Sequence, residues 1–482
     1  MVGKLSAREA CPPSAVTVLK SSRVPKFQVP GFEPVAELVT GRSRGARFEP
    51  WNLGTLELFP DITAKSTALN LKTDVCIMGA GPGGVATALK LSYLGIPCIL
   101  VDKAAFPRDK ICGDAISGKV TTLLNRLDPE IMQRFHAQPI QTDVWGVRFV
   151  APNRKKLDIP FKAGYVRNEK MAPGYVSKRL EFDNFLIEEA QRRDNIQLLL
   201  ETPIDAYERT TDGFRLHSKL KDIDIDCQIL IDASGAHSSF SRQYAGLEKD
   251  PKHHAAAVRA YYRNVSEIPI DNFIELHFIK SVTPGYFWIF ALPNGEANVG
   301  IGMRSDIVKR RGVNLREELT RIIAEDPTIS PRFKNAELIG KFEGYSLPLG
   351  SKTRRISGEH FMLVGDAGHL IDPLTGEGIG NAFYSGIIAA EQAVLCLQEK
   401  NFSEKFLIAY DVRIQRVLGS EMKLSYKMQQ IGGNPLLLNF VSNIIDGNRK
   451  LLEYFSAMYT DFDLREKLVK PWFWIKMWLK KS

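Results

Sequence analysis

The residues Gly79-Ala80-Gly81-Pro82-Gly83-Gly84 have the types and spacing to hold a diphosphate. A diphosphate needs close backbone approach and a partial positive charge. Gly79 permits a tight turn after a strand, Gly81 lets the backbone near a phosphate, and Gly84 allows close helix–strand packing. The helix that follows would aim its free N–H groups at the anion. Asp102, 23 positions after Gly79, could accept hydrogen bonds from a ribose hydroxyl. A glycine fingerprint alone is a weak signal, but its flanks are in register. Asp74–Met78 predicts a buried strand, Pro82–Tyr93 a helix with Gly95 as its stop, and Pro97–Val101 a second strand ending at Asp102. This is a βαβ unit of about 30 residues. It points to a dinucleotide without separating FAD from NAD.

The elements that must complete such a site follow along the chain. The spacing of Arg179, Phe182, Phe185, Leu186 and Ala190 predicts a helix over Val176–Arg193. Ile196–Leu200 predicts a strand, charged hairpin-like pieces run up to Asp226, and Gln228–Asp232 predicts another buried strand. From Ala255 to Glu343, alternating aromatic-rich stretches suit an antiparallel sheet. Phe361–Gly365 returns to the buried-strand pattern, a long helix is predicted over Gly378–Glu399, and the chain beyond about 403 reads as helical. The expected fold is α/β. A discontinuous Rossmann-like domain (71–145, 175–250 and 346–400) carries an inserted antiparallel-sheet domain (146–174 and 251–345). A helical C-terminal region (401–482) follows, and residues 1–70 read as a poorly ordered extension.

Composition narrows the classes. The 482 residues are 44% hydrophobic and 25% charged, with a net charge of +9, which suits a globular protein of more than one core. Much of the positive excess lies at the two ends, so no nucleic-acid partner is expected. Cys11, Cys76, Cys98, Cys112, Cys227 and Cys396 are scattered with no CxxC pair, which supports neither zinc nor a disulfide framework and suits a reducing compartment. No HExxH, P-loop or GxSxG motif occurs, the eight histidines are dispersed, and no metal is expected. No apolar run reaches the ~20 residues that span a bilayer, and the N-terminus lacks a signal peptide's apolar region. The expected location is cytoplasmic. The segment Lys470-Pro471-Trp472-Phe473-Trp474-Ile475-Lys476-Met477-Trp478 combines Trp with Lys. It suits a helix lying on anionic lipid, or equally a tail packed on its own core.

Two further segments resemble known flavoproteins. Asp232-Ala233-Ser234-Gly235 ends one strand. Gly365-Asp366-Ala367 ends another, and Asp372-Pro373-Leu374-Thr375-Gly376-Glu377-Gly378-Ile379-Gly380 follows. Together they resemble the FAD-binding segments of the para-hydroxybenzoate hydroxylase superfamily. The resemblance implies FAD as cofactor, Asp366 on the ribityl or ribose hydroxyls, and the N–H groups after Pro373 on the flavin pyrimidine edge. Arg179 resembles the arginine that lies beside the cofactor in that superfamily, with a solvated helix charge as the alternative. Ile204 lies where relatives contact adenine.

The stretch from Phe106 to Asp114 resembles the F-P-R-x-K-x-C-G-D signature of the geranylgeranyl reductase family. Tyr286, Trp288 and Phe290 resemble that family's Y-x-W-x-F-P segment, with Ala291 in place of the usual proline. The resemblance runs from about residue 73 to 390. It implies reduction of isolated C=C bonds in an isoprenoid or other lipid-like substrate, with NAD(P)H or an electron-carrier protein as transient reductant. Cys112 and Gly113 would lie near the flavin, where the thiol could relay a proton or simply pack. Lys110 and Arg108 could face the anionic flavin or phosphate, or solvent. Tyr286, Trp288 and Phe290 share one strand face and could form an aromatic wall or plain sheet core. A monooxygenase or halogenase on the same scaffold is the alternative, although Tyr286, Phe290 and Ala291 depart from the halogenases' W-x-W-x-I-P. A non-catalytic flavoprotein that only binds a lipid or partner is the third reading.

Overall fold

The computed structural model describes residues 69–161 and 171–446. The expected N-terminal extension, save residues 69 and 70, and the basic aromatic segment 470–481 lie outside the described residues.

The βαβ unit comprises β1 (Leu69–Met78), α1 (Pro82–Tyr93) and β2 (Cys98–Val101). Its first strand begins at Leu69 rather than Asp74, because Leu69–Thr73 pair in parallel with Ile223–Cys227. That partner strand runs Ile223–Asp232. Its first six residues alternate between buried and half-buried positions and its last four are wholly buried. The charged residues before Asp226 therefore belong to the same strand, with their side chains on the wetter face. Five strands lie parallel in the order Phe361–Leu363, Ile223–Asp232, β1, β2, Ile196–Leu199. The antiparallel hairpin Ala206–Thr210/Gly213–Ser218 extends the sheet beside Ile223–Cys227. The helix Ile379–Glu399 packs on α1 at backbone distance: a Cβ on Gly386 would come within 2.4 Å of the Gly83 carbonyl oxygen.

The expected helix Val176–Arg193 is corrected at its start. Gly174–Ser177 is a strand pairing with Ala115–Ile116 and Gln141–Val144, and the helix runs Arg179–Gln191. Val176, β-branched and buried, favours the extended form. The Ser177 N–H donates to the Asp114 carbonyl at 3.0 Å.

A seven-stranded sheet runs in the order Glu337–Pro348, His254–Arg263, Glu296–Arg304, Tyr286–Ala291, Ile274–His277, Gly146–Val150, Lys156–Pro160. It is antiparallel except where Ile274–His277 pairs in parallel with Gly146–Val150. One face buries Phe287, Ile289, Val299 and Ile301 against the helix Leu315–Glu325. The other presents Tyr286, Trp288 and Phe290.

After Ser403, whose hydroxyl caps the next helix, come Glu404–Ile414, a π-helical turn over Gln415–Gly419, Ser420–Ile431 and Pro435–Ile445. No helix among the described residues is long and apolar enough to cross a membrane.

Candidate functional site

Gly79 leaves β1 with φ +104°, a left-handed conformation that glycine adopts without strain. Its N–H donates to the Val101 carbonyl at 2.7 Å. A Cβ on Gly84 would sit 1.8 Å from the Gly79 carbonyl oxygen, and one on Gly83 would sit 2.7 Å from Val364. Gly84 lies behind the wall of the site, whereas Gly79, Gly81 and Gly83 line it. Gly81, the N-cap of α1, is the open position: a Cβ there would meet only Arg108 Nη2, at 3.7 Å. Asp102 accepts the Ala80 N–H at 2.7 Å on Oδ2 and the Ala104 N–H at 2.9 Å on Oδ1. Each oxygen keeps a free lone pair for a sugar hydroxyl. A concave turn, a helix N-terminus and a fixed carboxylate fit the diphosphate and ribose of a dinucleotide.

The other strand ends converge on the same cavity, but not every expected side chain reaches it. Asp232 does not. It is buried, which raises its carboxyl pKa, and it accepts the N–H and hydroxyl of Ser234 and the hydroxyl of Ser238. It shapes the turn so that Ala233, Ser234 and Gly235 face the cavity. Gly365 and Asp366 line it, as does Ile204. Asp366 lies 3.4 Å from Lys110, whose ammonium also sits 4.6 Å over the Tyr345 ring. Pro373, Gly376, Gly378 and Ile379 line the cavity next to them. Asp372 folds this loop by accepting the N–H groups of Leu374 and Thr375 at 2.9 and 2.8 Å. Gly378 then caps the helix Ile379–Glu399, whose first-turn N–H groups lack intrahelical partners. His369 does not line the cavity; it packs edge-on to His254, and burial pushes its pKa down to about 3.

Arg179 is not a solvated charge. Only 2% exposed, it makes a bidentate pair with Asp183 at 2.6 Å on both arms. Burial opposes its charge, and Asp183 more than restores it. Arg108 joins the same carboxylate at 2.9 Å. Cys112, half-buried, lines the cavity beside Gly113.

Tyr286, Trp288 and Phe290 form a continuous wall, with centroids 6.0 and 6.1 Å apart, and Phe278 and Phe149 extend it. All five line the cavity. The Tyr286 hydroxyl donates to the Thr375 carbonyl, so the wall touches the glycine loop before Ile379. Trp288 and Phe290 are both sheet core and cavity wall.

The cavity has a volume of about 2250 Å³. Single-ligand pockets hold roughly 300–1,000 Å³, so this one has room for a second molecule beside a dinucleotide. Away from the glycine turns its lining is mostly apolar, with Arg126, Arg304 and Glu421 among the exceptions. Val147, Phe149 and Leu276 come from the sheet, and Leu424, Met428, Leu438 and Val441 from the C-terminal helices. Those helices are tied to the glycine loop, with Gln429 donating to the Pro373 carbonyl and Lys119 bridging Glu377 of the loop at 3.7 Å and Glu421 at 3.2 Å.

One cluster was not singled out from the sequence. Asp114 is fully buried, and its carboxylate accepts from Tyr261 at 2.8 Å and from Asn298 at 2.7 Å. Burial raises its pKa to about 6. Asn298 also accepts the Trp288 indole N–H at 2.9 Å. Asp114 closes the segment Phe106–Asp114, but nothing in the local pattern marks half-buried Tyr261 or buried Asn298; their place in the alternating stretch Ala255–Glu343 was the available signal.

A family model described as an FAD binding domain matches residues 72–384. The chain belongs to this FAD-binding family. It is 28% identical over 355 residues to the digeranylgeranylglycerophospholipid reductase of Methanococcus vannielii, covering 72% of this chain and 83% of that protein. It is also 28% identical over 334 residues to the menaquinone reductase of Mycolicibacterium smegmatis, covering 67% and 76%. Among solved structures, the geranylgeranyl bacteriochlorophyll reductase-like protein of Thermoplasma acidophilum superposes with a TM-score of 0.70 at 23% identity, over 83% of this chain and 99% of that one. Halogenase PltM in complex with phloroglucinol and FAD superposes with a TM-score of 0.64 at 17% identity, over 80% and 82%. At these identities the solved structures establish the fold alone. This FAD-binding protein is an oxidoreductase related in sequence to the digeranylgeranylglycerophospholipid reductases.

Proposed function

We propose that this flavoprotein reduces C=C bonds of an isoprenoid or similar lipid chain. The observation that carries the reading is the aromatic wall Tyr286–Trp288–Phe290, which borders the glycine loop at one end and opens into an apolar chamber at the other. Relatives named as reductases of digeranylgeranylglycerophospholipid and menaquinone support it. Reduced FAD, when bound, supplies a hydride to one alkene carbon while a proton reaches the other.

The chain's own residues do the rest. The N–H groups at the start of α1 bind the diphosphate, Asp102 accepts from the ribose, and Asp366 with Lys110 faces the sugar chain. The N-terminus of the helix Ile379–Glu399, which lines the cavity, would offer its partial positive charge to the flavin ring. An isolated alkene has no carbonyl to take up electron density, so placement in a dry chamber must supply much of the rate. Tyr286, Trp288 and Phe290 exclude water and orient the chain, and Cys112 holds a proton at Sγ inside the same cavity. The reductant is NAD(P)H or a carrier protein that docks transiently. Leu436 and Phe440, 77% and 42% exposed on the helix Pro435–Ile445, support lipid contact near the apolar end of the cavity.

Product mass tests this reading. FAD-loaded protein, chemically reduced, is incubated with polyprenyl lipids with and without oxygen. A gain of two hydrogens supports reduction. A gain of one oxygen assigns the scaffold to hydroxylation, and no product with any lipid leaves a binding module.

A further inference from the structure

We propose that Asp114 is a positioning residue for this reaction: through Asn298 it fixes both the Trp288 indole on the aromatic wall and the Cys112 loop that lies on it. The proposal deepens the reduction reading and rests on it.

The geometry leaves the Asn298 amide one usable orientation. Its Nδ2 donates to Asp114 Oδ2 at 2.7 Å and to the Cys112 carbonyl at 2.8 Å, while its Oδ1 accepts the Trp288 Nε1–H at 2.9 Å. A flipped amide would set its oxygen against a carboxylate and a carbonyl and its nitrogen against an indole N–H, three repulsive contacts in a fully buried site. Asp114 thus acts with the Cys112 carbonyl to hold Asn298 facing one way, and Asn298 decides where the indole edge finds its acceptor.

Asp114 is itself fixed. It has φ +66°, a left-handed conformation that Asp and Asn tolerate better than most residues, and its Oδ1 accepts the Arg179 N–H at 3.3 Å. Its Oδ2 also accepts the Tyr261 hydroxyl at 2.8 Å, and Arg259 lies 4.1 Å over that ring while pairing with Asp109 and Glu343. The wall has no slack around these bonds. A Cβ on Gly300 would fall 2.4 Å from the Trp288 ring, and one on Gly113 would fall 3.2 Å from Phe290. Cys112 and Trp288 thus share one polar anchor, across a sequence separation that no local motif spans.

Asp114→Asn keeps the size and the backbone preference and removes the charge; Asn298→Asp keeps the size and turns the donor facing the Cys112 carbonyl into an acceptor. Two readouts are taken on FAD-loaded protein. Site-mapped alkylation by iodoacetamide compares Cys112 with the buried Cys76, Cys98, Cys227 and Cys396. Steady-state reduction of a polyprenyl lipid separates kcat from KM. The expected result for either variant is unchanged FAD content, alkylation faster by about tenfold at Cys112 alone, and kcat lower by about tenfold with KM little changed. Unchanged Cys112 reactivity overturns the proposal. Faster alkylation at Cys112 and the four buried cysteines alike also overturns it, because it signals general loosening. Failure of the unmodified protein to reduce any polyprenyl lipid defeats the reduction reading instead, while the alkylation arm, which needs no substrate, still decides whether Asp114 anchors the loop. Asn298→Asp carries the test if Asp114→Asn does not fold.

Discussion

Two alanine substitutions in the glycine turn, Gly81→Ala and Gly84→Ala, should fail in opposite ways. At Gly84 the added Cβ falls 1.8 Å from the Gly79 carbonyl oxygen and 3.4 Å from Ala233. Relief requires the turn or α1 to move by more than an ångström, and overpacking of this kind costs about 1–3 kcal/mol or more, exceeding the ~1 kcal/mol that alanine gains in a helix. At Gly81 the Cβ has space, with Arg108 Nη2 at 3.7 Å as its nearest neighbour, and the loss is confined to about 1 kcal/mol at an N-cap. That space is where a diphosphate must lie, however. Displacing it from one charge-assisted backbone hydrogen bond removes about 1.5–3 kcal/mol of affinity, roughly ten- to hundredfold in Kd. Urea unfolding of the FAD-free proteins and FAD titration by flavin fluorescence separate the two effects. Gly84→Ala should lose stability, whereas Gly81→Ala should unfold near the unmodified midpoint and bind FAD weakly. Full FAD affinity in Gly81→Ala would refute the placement of the diphosphate against this turn.

Two other outcomes follow from the same geometry. Asp102→Ala removes the acceptor of the Ala80 and Ala104 N–H groups together with the ribose contact; FAD affinity should fall by about a hundredfold, and an unchanged titration would show that Asp102 serves the loop alone. Asp114 gives a signed pH dependence. Its folded pKa is raised by burial from 3.8 to about 6, so its stabilising contribution is full below about pH 4 and is lost as pH rises through 6. Two units correspond to about 3 kcal/mol. The stability of Asp114→Asn relative to the unmodified protein should therefore rise by about that amount between pH 4 and pH 7, and parallel urea-denaturation curves across this range would show that the carboxyl is not desolvated.

What the sequence disclosed follows from how local each determinant is. The turn Gly79–Gly84, the helix over Pro82–Tyr93 and Asp102 lie within one βαβ unit, and neighbours in sequence are neighbours in space. The helix expected over Val176–Arg193 takes in the last two residues of the strand Gly174–Ser177 because Val176 fits a helical spacing, and only pairing with Ala115–Ile116 and Gln141–Val144 makes them a strand. Asp232 sits in a cofactor-type segment yet spends its carboxylate on Ser234 and Ser238, a choice set by burial rather than by residue type. Arg179 carried an apparent alternative as a surface charge, which the paired Asp183 one turn later resolves. The Asp114–Asn298–Trp288 anchor joins residues far apart in the chain, and the closing of the apolar chamber by Leu424, Met428 and Leu438 depends on where helices dock, which periodicity does not encode.

The most direct measurement is anaerobic, in a stopped-flow spectrometer: FAD-loaded protein is reduced stoichiometrically and mixed with a geranylgeranyl lipid while flavin absorbance is followed. Reoxidation that depends on lipid concentration, with product formed in equal amount to the flavin oxidised, is the predicted result. Flavin that stays reduced with every isoprenoid offered, and turns yellow only when air is admitted, would contradict the assignment of the aromatic-walled chamber to alkene reduction.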